Sequence, residues 1–211
     1  MADEGLHAPR HAPACPPGEV RVWRASLSAN AERLSAWLNV LCPEERARAQ
    51  LLRSGEHRSR FVAAHGQLRE ILGACLSTPP GRLEFRRTAG GKPEVGGACA
   101  DAVEFSMSHS GGLALYAVAR GRRVGVDVEH IRAGPSFMQI ARRFYSPREC
   151  AELESLPADR RTGAFFRLWT RKEAHAKATG RGLSMPFEGL DEAPDEWGER
   201  TKQLQGSGNP R

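Results

Sequence analysis

Apolar and polar residues alternate along Val20-Arg21-Val22-Trp23-Arg24-Ala25, which predicts a first strand. Residues 31–41 change period. Leu34, Trp37, Leu38 and Leu41 fall at helical spacing, and Pro43 opens a second helix with Glu44 and Glu45 at its positive end. The longest helical pattern lies within residues 46–76. Phe61, Ala64, Leu68, Ile71, Leu72 and Cys75 form its apolar stripe, and Gly55 divides it into two helices. Leu83-Glu84-Phe85 predicts a short strand after the Thr78-Pro79-Pro80-Gly81 turn. Phe105 and Met107 alternate inward before a Ser108-His109-Ser110-Gly111 turn. Residues 113–119 predict another strand, and Arg120-Gly121-Arg122-Arg123 a turn. With the valines that follow, this reads as an antiparallel hairpin. Gly134-Pro135 breaks the chain. Ser146, Pro147 and Glu149 then mark a helix start by cap, first-turn proline and acid. A last helix covers residues 165–178, with Phe165, Leu168 and Trp169 on its buried side.

The chain is organised around Val124-Gly125-Val126-Asp127-Val128-Glu129. Read as a strand, it turns Val124, Val126 and Val128 to a core and sets Asp127 and Glu129 on the opposite face. Their Cα atoms would then be about 6–7 Å apart. Two such carboxylates can lean onto one hard cation, or they can be two solvated acids on an exposed edge. Removing Asp127 from such a like-charged pair is expected to relieve repulsion. Trp169, Glu173 and Lys177 fall four apart on the last helix and share a face. Glu173 and Lys177 are either a surface ion pair or, beside the buried stripe, charges that need a partner.

The 211 residues carry 40% hydrophobic and 27% charged side chains, the balance of a globular chain. The net charge of +6 suits a phosphate-bearing ligand or an acidic partner. Arg46, Arg48, Arg53, Arg58 and Arg60 concentrate before the buried stripe, as a solvated face or a phosphate site. Gly90-Gly91-Lys92-Pro93 is a tight loop with one cation, without the spacing of a P-loop. A Ser108–His109 nucleophilic pair is disfavoured, because adjacent residues of an extended chain point apart and no Gly-x-Ser-x-Gly elbow exists. Five scattered cysteines and no Cys-x-x-Cys argue against zinc fingers and disulfides and point to a reducing cytoplasm. No apolar run is long enough to span a membrane, and the N-terminus lacks the apolar core of a secretory signal.

Gly125-Val126-Asp127-Val128-Glu129, followed by Trp169-Thr170-Arg171-Lys172-Glu173-Ala174-His175-Ala176-Lys177 and Gly180-Arg181-Gly182-Leu183, resembles the 4′-phosphopantetheinyl transferases of the surfactin-synthetase-activating type. Gly91-Lys92-Pro93 and Phe105-Ser106-Met107-Ser108-His109-Ser110-Gly111 are similar to that family's nucleotide-binding motifs, in the same order. The resemblance implies an α/β (α+β) fold of two similar halves about a pseudo-twofold axis, each a small antiparallel sheet packed with helices. It implies transfer of 4′-phosphopantetheine from coenzyme A to a serine of an acyl or peptidyl carrier protein, with release of adenosine 3′,5′-bisphosphate. Asp127, Glu129 and Glu173 would hold Mg²⁺. Glu173 would be the base for the carrier serine, and Lys177 would assist the leaving phosphate. Lys92 and Pro93 would border the adenine nucleotide, Ser108 and His109 its phosphates, and Arg60 would join this coenzyme A site.

The expected organisation is a flexible tail over 1–18, an N-terminal half with the coenzyme A loops over 19–120, a C-terminal half with the metal and catalytic motifs over 121–190, and a polar tail over 191–211. No strand is evident after residue 190, so the C-terminal half is expected to be incomplete relative to the family. The expected partners are coenzyme A and an apo carrier protein, with no nucleic acid, no membrane, and a monomeric cytoplasmic chain. One alternative is a relative that binds coenzyme A without transfer or with weak activity. The other is a basic nucleic-acid-binding protein, which would want aromatics interleaved with the basic residues, whereas aromatic content is 7%.

Overall fold

The computed structural model describes residues 15–132 and 137–180. Expectations for residues 1–14, the break at Gly134-Pro135, the turn beyond Gly180 and the C-terminal tail lie outside the described residues. The described residues fall into two compact units: 15–132 with 169–180, and 137–168.

In the first unit β1 (Val20–Ser26), β4 (Glu104–Ser110) and β5 (Leu113–Ala119) form an antiparallel sheet in the order β1-β5-β4. Val20 faces Ala119 across one ladder, and Glu104 faces Ala119 across the other. A second, two-stranded antiparallel sheet pairs β2 (Phe85–Arg87) with β3 (Pro93–Val95) around the Gly90-Gly91 loop. The short strand thus begins at Phe85 rather than Leu83, because Leu83 is spent capping a 3₁₀ turn over Pro80–Arg82.

Helices α1 (Ala31–Val40), α2 (Pro43–Leu51) and α3 (Gly55–Leu76) follow the predicted pattern. The stripe of Phe61, Ala64, Leu68, Ile71, Leu72 and Cys75 is buried throughout. Tyr116 of β5 anchors α3 to the sheet by donating its hydroxyl to the Ala64 carbonyl at 3.0 Å. A side chain at Gly66 would overlap Trp37, so this glycine lets α1 and α3 approach closely. Cys15, expected within the mobile tail, is buried and its thiol donates to the Val118 carbonyl.

Two of the five clustered arginines, Arg46 and Arg58, serve the backbone. Arg46 donates to the carbonyls of Leu41 and Asn39 at the end of α1. Arg58 does the same for Ala49 and Leu52 at the end of α2. A cation at a helix C-terminus satisfies orphan carbonyls and the helix dipole together. Arg69 is fully buried. It is held by Glu45 at 2.7 Å and by the carbonyls of Pro80 and Leu83.

In the second unit, α4 (Phe137–Phe144) precedes α5 (Pro147–Ser155), which starts with the predicted Ser146/Glu149 capping box. The last helix, α6 (Ala158–Thr179), begins seven residues before the expected start at Phe165. Its Phe165 stacks on Tyr145, whose hydroxyl donates to the Phe165 carbonyl. The C-terminal stretch of α6, from Trp169, belongs to the first unit.

The hairpin predicted for residues 113–129 is a correction. β5 pairs with β1 on one side and β4 on the other, so it has no free edge for residues 124–129. Those residues belong to no strand. The Ser108-His109-Ser110 turn is also corrected: these residues complete β4, and the reversal falls at Gly111-Gly112, where Gly111 adopts φ of 60°. The mixed α/β architecture of small antiparallel sheets packed with helices is as expected.

Candidate active site

Because β4 alternates, Phe105 and Met107 enter the core while Ser106, Ser108 and Ser110 share the other face. The stretch from Val126 to His130 lies against that serine face. Ser106 Oγ accepts from the Val126 N–H at 3.1 Å. Ser108 Oγ donates to Asp127 Oδ1 at 2.7 Å, and Ser110 Oγ donates to Glu129 Oε2 at 2.9 Å. The contacts advance in the same order on both segments, so the two run parallel. Val124 is buried with Ala117 and Ala119, and Val126 packs against them.

Gly125 sets how close this stretch comes to α6. A Cβ there would overlap the Ala174 carbonyl oxygen and the Ala178 N–H. With no side chain, the backbone lies directly on α6, and Lys177 reaches Asp127. The Lys177 ammonium donates to Asp127 Oδ1 at 2.6 Å and to Ser108 Oγ at 2.9 Å. Asp127 is 3% exposed at its side chain, and its other oxygen, Oδ2, is buried without a hydrogen-bond partner among the described residues. Glu173 stands one turn before Lys177. Burial raises its carboxyl above the ordinary carboxylate range; Lys177 opposes that rise, while Asp127 and Glu129 add to it.

Glu173, Ala176 and Lys177 form one wall of a cavity of about 1210 Å³ in the first unit. Other walls come from Arg46, Arg48, Phe61 and His65, from Arg86 and Arg87, and from Gly90 to Pro93. The Gly90 backbone packs against Gly180, and Lys92 Nζ pairs with Glu104 at 2.9 Å while reaching the Ala178 carbonyl. The Gly-Gly-Lys-Pro loop is therefore fastened to the end of α6. Arg48 lies over the Phe61 ring, and the His65 ring stacks on Phe61 at 3.8 Å. Burial pushes His65 down to about 4, and its Nδ1 meets the Phe61 carbonyl at 3.0 Å. Partial burial, then the charges of Lys177 and Arg48, hold His109 below the ordinary histidine range, with Glu129 pulling the other way.

Of the residues expected in the site, Glu173, Lys177, Lys92 and Pro93 line this cavity. Asp127 and Ser108 join it through their hydrogen bonds to Lys177, and Glu129 and His109 through charge. Arg60 does not line it: its guanidinium pairs with Glu56 at 2.5 Å, one helical turn away. Sequence reasoning left His65 unnamed and did not separate Arg48 from its neighbours. The signal available was helical spacing, since Phe61 and His65 are four apart on α3.

Among the described residues, no three His, Cys, Asp or Glu side chains converge as a ready-made metal cage. Mg²⁺ is commonly held by one or two carboxylates with substrate phosphates and water, so such a cage is not required. The donors present are hard oxygens, and Asp127 Oδ2, unpartnered among the described residues, can accept a cation. The set fits Mg²⁺.

A mixed α/β chain with a cation-lined cavity beside clustered carboxylates has the features of a group-transfer enzyme acting on a phosphate-bearing substrate. Residues 123–211 match the model of the 4′-phosphopantetheinyl transferase superfamily. The chain is 41% identical to the 4′-phosphopantetheinyl transferase HetI of Nostoc over 79% of its own length and 70% of that relative's. It is 34% identical to the 4′-phosphopantetheinyl transferase psf-1 of Bacillus pumilus, over 76% and 67%. The Sfp enzyme of Bacillus subtilis is 26% identical, over 85% and 78%. The chain belongs to the 4′-phosphopantetheinyl transferase family, a family of transferases. Among the described residues, no helix is long and apolar enough to cross a membrane.

Proposed function

We propose that this protein transfers 4′-phosphopantetheine from coenzyme A to a serine of an acyl or peptidyl carrier protein, in the manner of the surfactin-synthetase-activating type. The observation that carries this reading is Lys177 at the cavity wall, hydrogen-bonded to a buried Asp127 one helical turn from Glu173.

Asp127, Glu129 and Glu173 would hold Mg²⁺ with oxygens of the substrate. When bound, the ion neutralises charge on the pyrophosphate. Arg48 is suited to the adenosine phosphates, with His109 in range of its charge, and Lys92 borders the adenine nucleotide. Glu173 accepts the proton of the carrier serine, a role favoured by a carboxyl held above its usual range. The serine oxygen bonds to the phosphorus on the pantetheine side. The bond from that phosphorus to the bridging oxygen breaks, and adenosine 3′,5′-bisphosphate leaves with the electron pair. Lys177 donates to the departing phosphate, so its ammonium must leave Asp127 as the substrate binds. The chemistry is chiefly positioning and charge stabilisation.

The test is incubation with coenzyme A, Mg²⁺ and an apo carrier protein, followed by intact mass measurement. The expected result is a gain of one phosphopantetheine group on the carrier, absent without coenzyme A and absent for Glu173→Gln. Coenzyme A binding without any mass gain would favour a binding-only relative.

A further inference from the structure

The carboxylates at Asp127 and Glu129 are held in an unusual way. Two extended segments side by side normally register through backbone hydrogen bonds. Among the described residues, no backbone–backbone hydrogen bond ties residues 124–130 to β4. The ties are serine hydroxyls at alternate positions, each a donor, an acceptor or both. Ser110 does two things at once. It donates to Glu129 Oε2 at 2.9 Å and accepts from the His130 N–H at 3.1 Å. One hydroxyl thus fixes both the backbone just past Glu129 and the direction of its carboxylate. Its counterpart Ser108 is already shared between Asp127 and Lys177.

We infer that Ser110 is a positioning residue for the transfer reaction, orienting Glu129 beside Asp127 so that the pair presents its remaining oxygens to one divalent cation. The inference rests on the assignment of Asp127 and Glu129 as metal ligands. The physical case is that a carboxylate on a segment without a backbone ladder keeps free rotamers unless another group holds it. Each rotamer lost on metal binding weakens affinity. Partners that orient a ligand typically matter about 10–100-fold in metal affinity. Serine is suited to this because one hydroxyl donates and accepts together. Alanine removes both bonds, and threonine keeps them.

The experiment is a Mn²⁺ titration of the full chain with coenzyme A present, free Mn²⁺ being counted by electron paramagnetic resonance. Ser110→Ala is expected to weaken Mn²⁺ binding about 10–100-fold. The Mg²⁺ concentration for half-maximal transfer should rise in parallel, with the coenzyme A KM unchanged. Ser110→Thr should restore both. Ser110→Ala that binds Mn²⁺ like the wild type, while Asp127→Ala does not, overturns the positioning role and leaves the metal assignment standing. Asp127→Ala that also binds like the wild type overturns the metal assignment itself. A Ser110→Ala loss that Ser110→Thr fails to rescue assigns the effect to packing and also overturns the inference.

Discussion

The ammonium of Lys177 lies 2.6 Å from Asp127 Oδ1, and that aspartate side chain is 3% exposed where the lysine is 32% exposed. The acid is thus buried against a cation that can retreat to solvent. In the absence of a metal, the lysine is the counter-charge that makes burial of Asp127 tolerable.

This pairing reverses an expectation from the sequence. Read as one of two like charges on a strand face, Asp127 would relieve repulsion when removed. Paired with Lys177 and Ser108, it should instead cost stability. Asp127→Ala is expected to lower stability by about 1–2 kcal/mol, well short of a fully buried pair because Lys177 can reach water. Transfer should fall by about 100-fold or more. Urea unfolding and turnover measured on the same preparation check both, and an unchanged or raised unfolding midpoint would count against the pairing.

Arg48 and Arg60 should part company. Arg48 lines the cavity over Phe61, whereas Arg60 is paired with Glu56. Arg48→Ala is expected to weaken coenzyme A binding by roughly 10-fold or more, the scale of a charge-assisted phosphate contact. Arg60→Ala should leave it nearly unchanged. Calorimetric titration with coenzyme A distinguishes them, and equal losses would refute the placement.

Gly125→Ala should damage the site without touching any charged group. The new methyl would meet the Ala174 carbonyl, which belongs to a helix backbone and cannot swing aside. Overpacking of this kind costs roughly 1–3 kcal/mol, or several degrees in Tm for a chain of this size. Because the stretch must move off α6, transfer should fall further than stability alone explains. A variant with wild-type Tm and rate would show that the segments do not pack this closely.

Acid should destabilise the protein through His65. Its folded pKa is about 4 against an ordinary 6.5, so the unfolded chain binds the extra proton between those values. Stability is complete above about pH 6.5 and declines as pH falls towards 4, by about 3 kcal/mol in all. Glu45 opposes the depression, while His109 and Arg48 add to it. Relative to the wild type, His65→Phe should lose less stability between pH 7 and pH 4. Parallel curves from denaturant unfolding at each pH would exclude the effect.

The sequence by itself determined the helices other than α4, and the strands β1 and β5. Local period decides those, and 43–51, 55–76 and 147–155 each carry their own cap or breaker. It also determined the chemistry on offer, since carboxylates, a lysine and a Gly-Gly-Lys-Pro loop at those spacings constrain what can be bound. Tertiary structure alone decided how residues 124–129 are held. Alternating valines predict a strand, but a ladder needs a free edge, and β1 and β4 had taken both edges of β5. Only the folded chain shows that serine hydroxyls replace that ladder and that Gly125 admits α6. Likewise, only the folded chain shows that Arg46 and Arg58 cap helices while Arg46 and Arg48 line the cavity. Residue type sets what a side chain can do, whereas the partner it meets depends on contacts between segments far apart in the chain, to which local periodicity is blind.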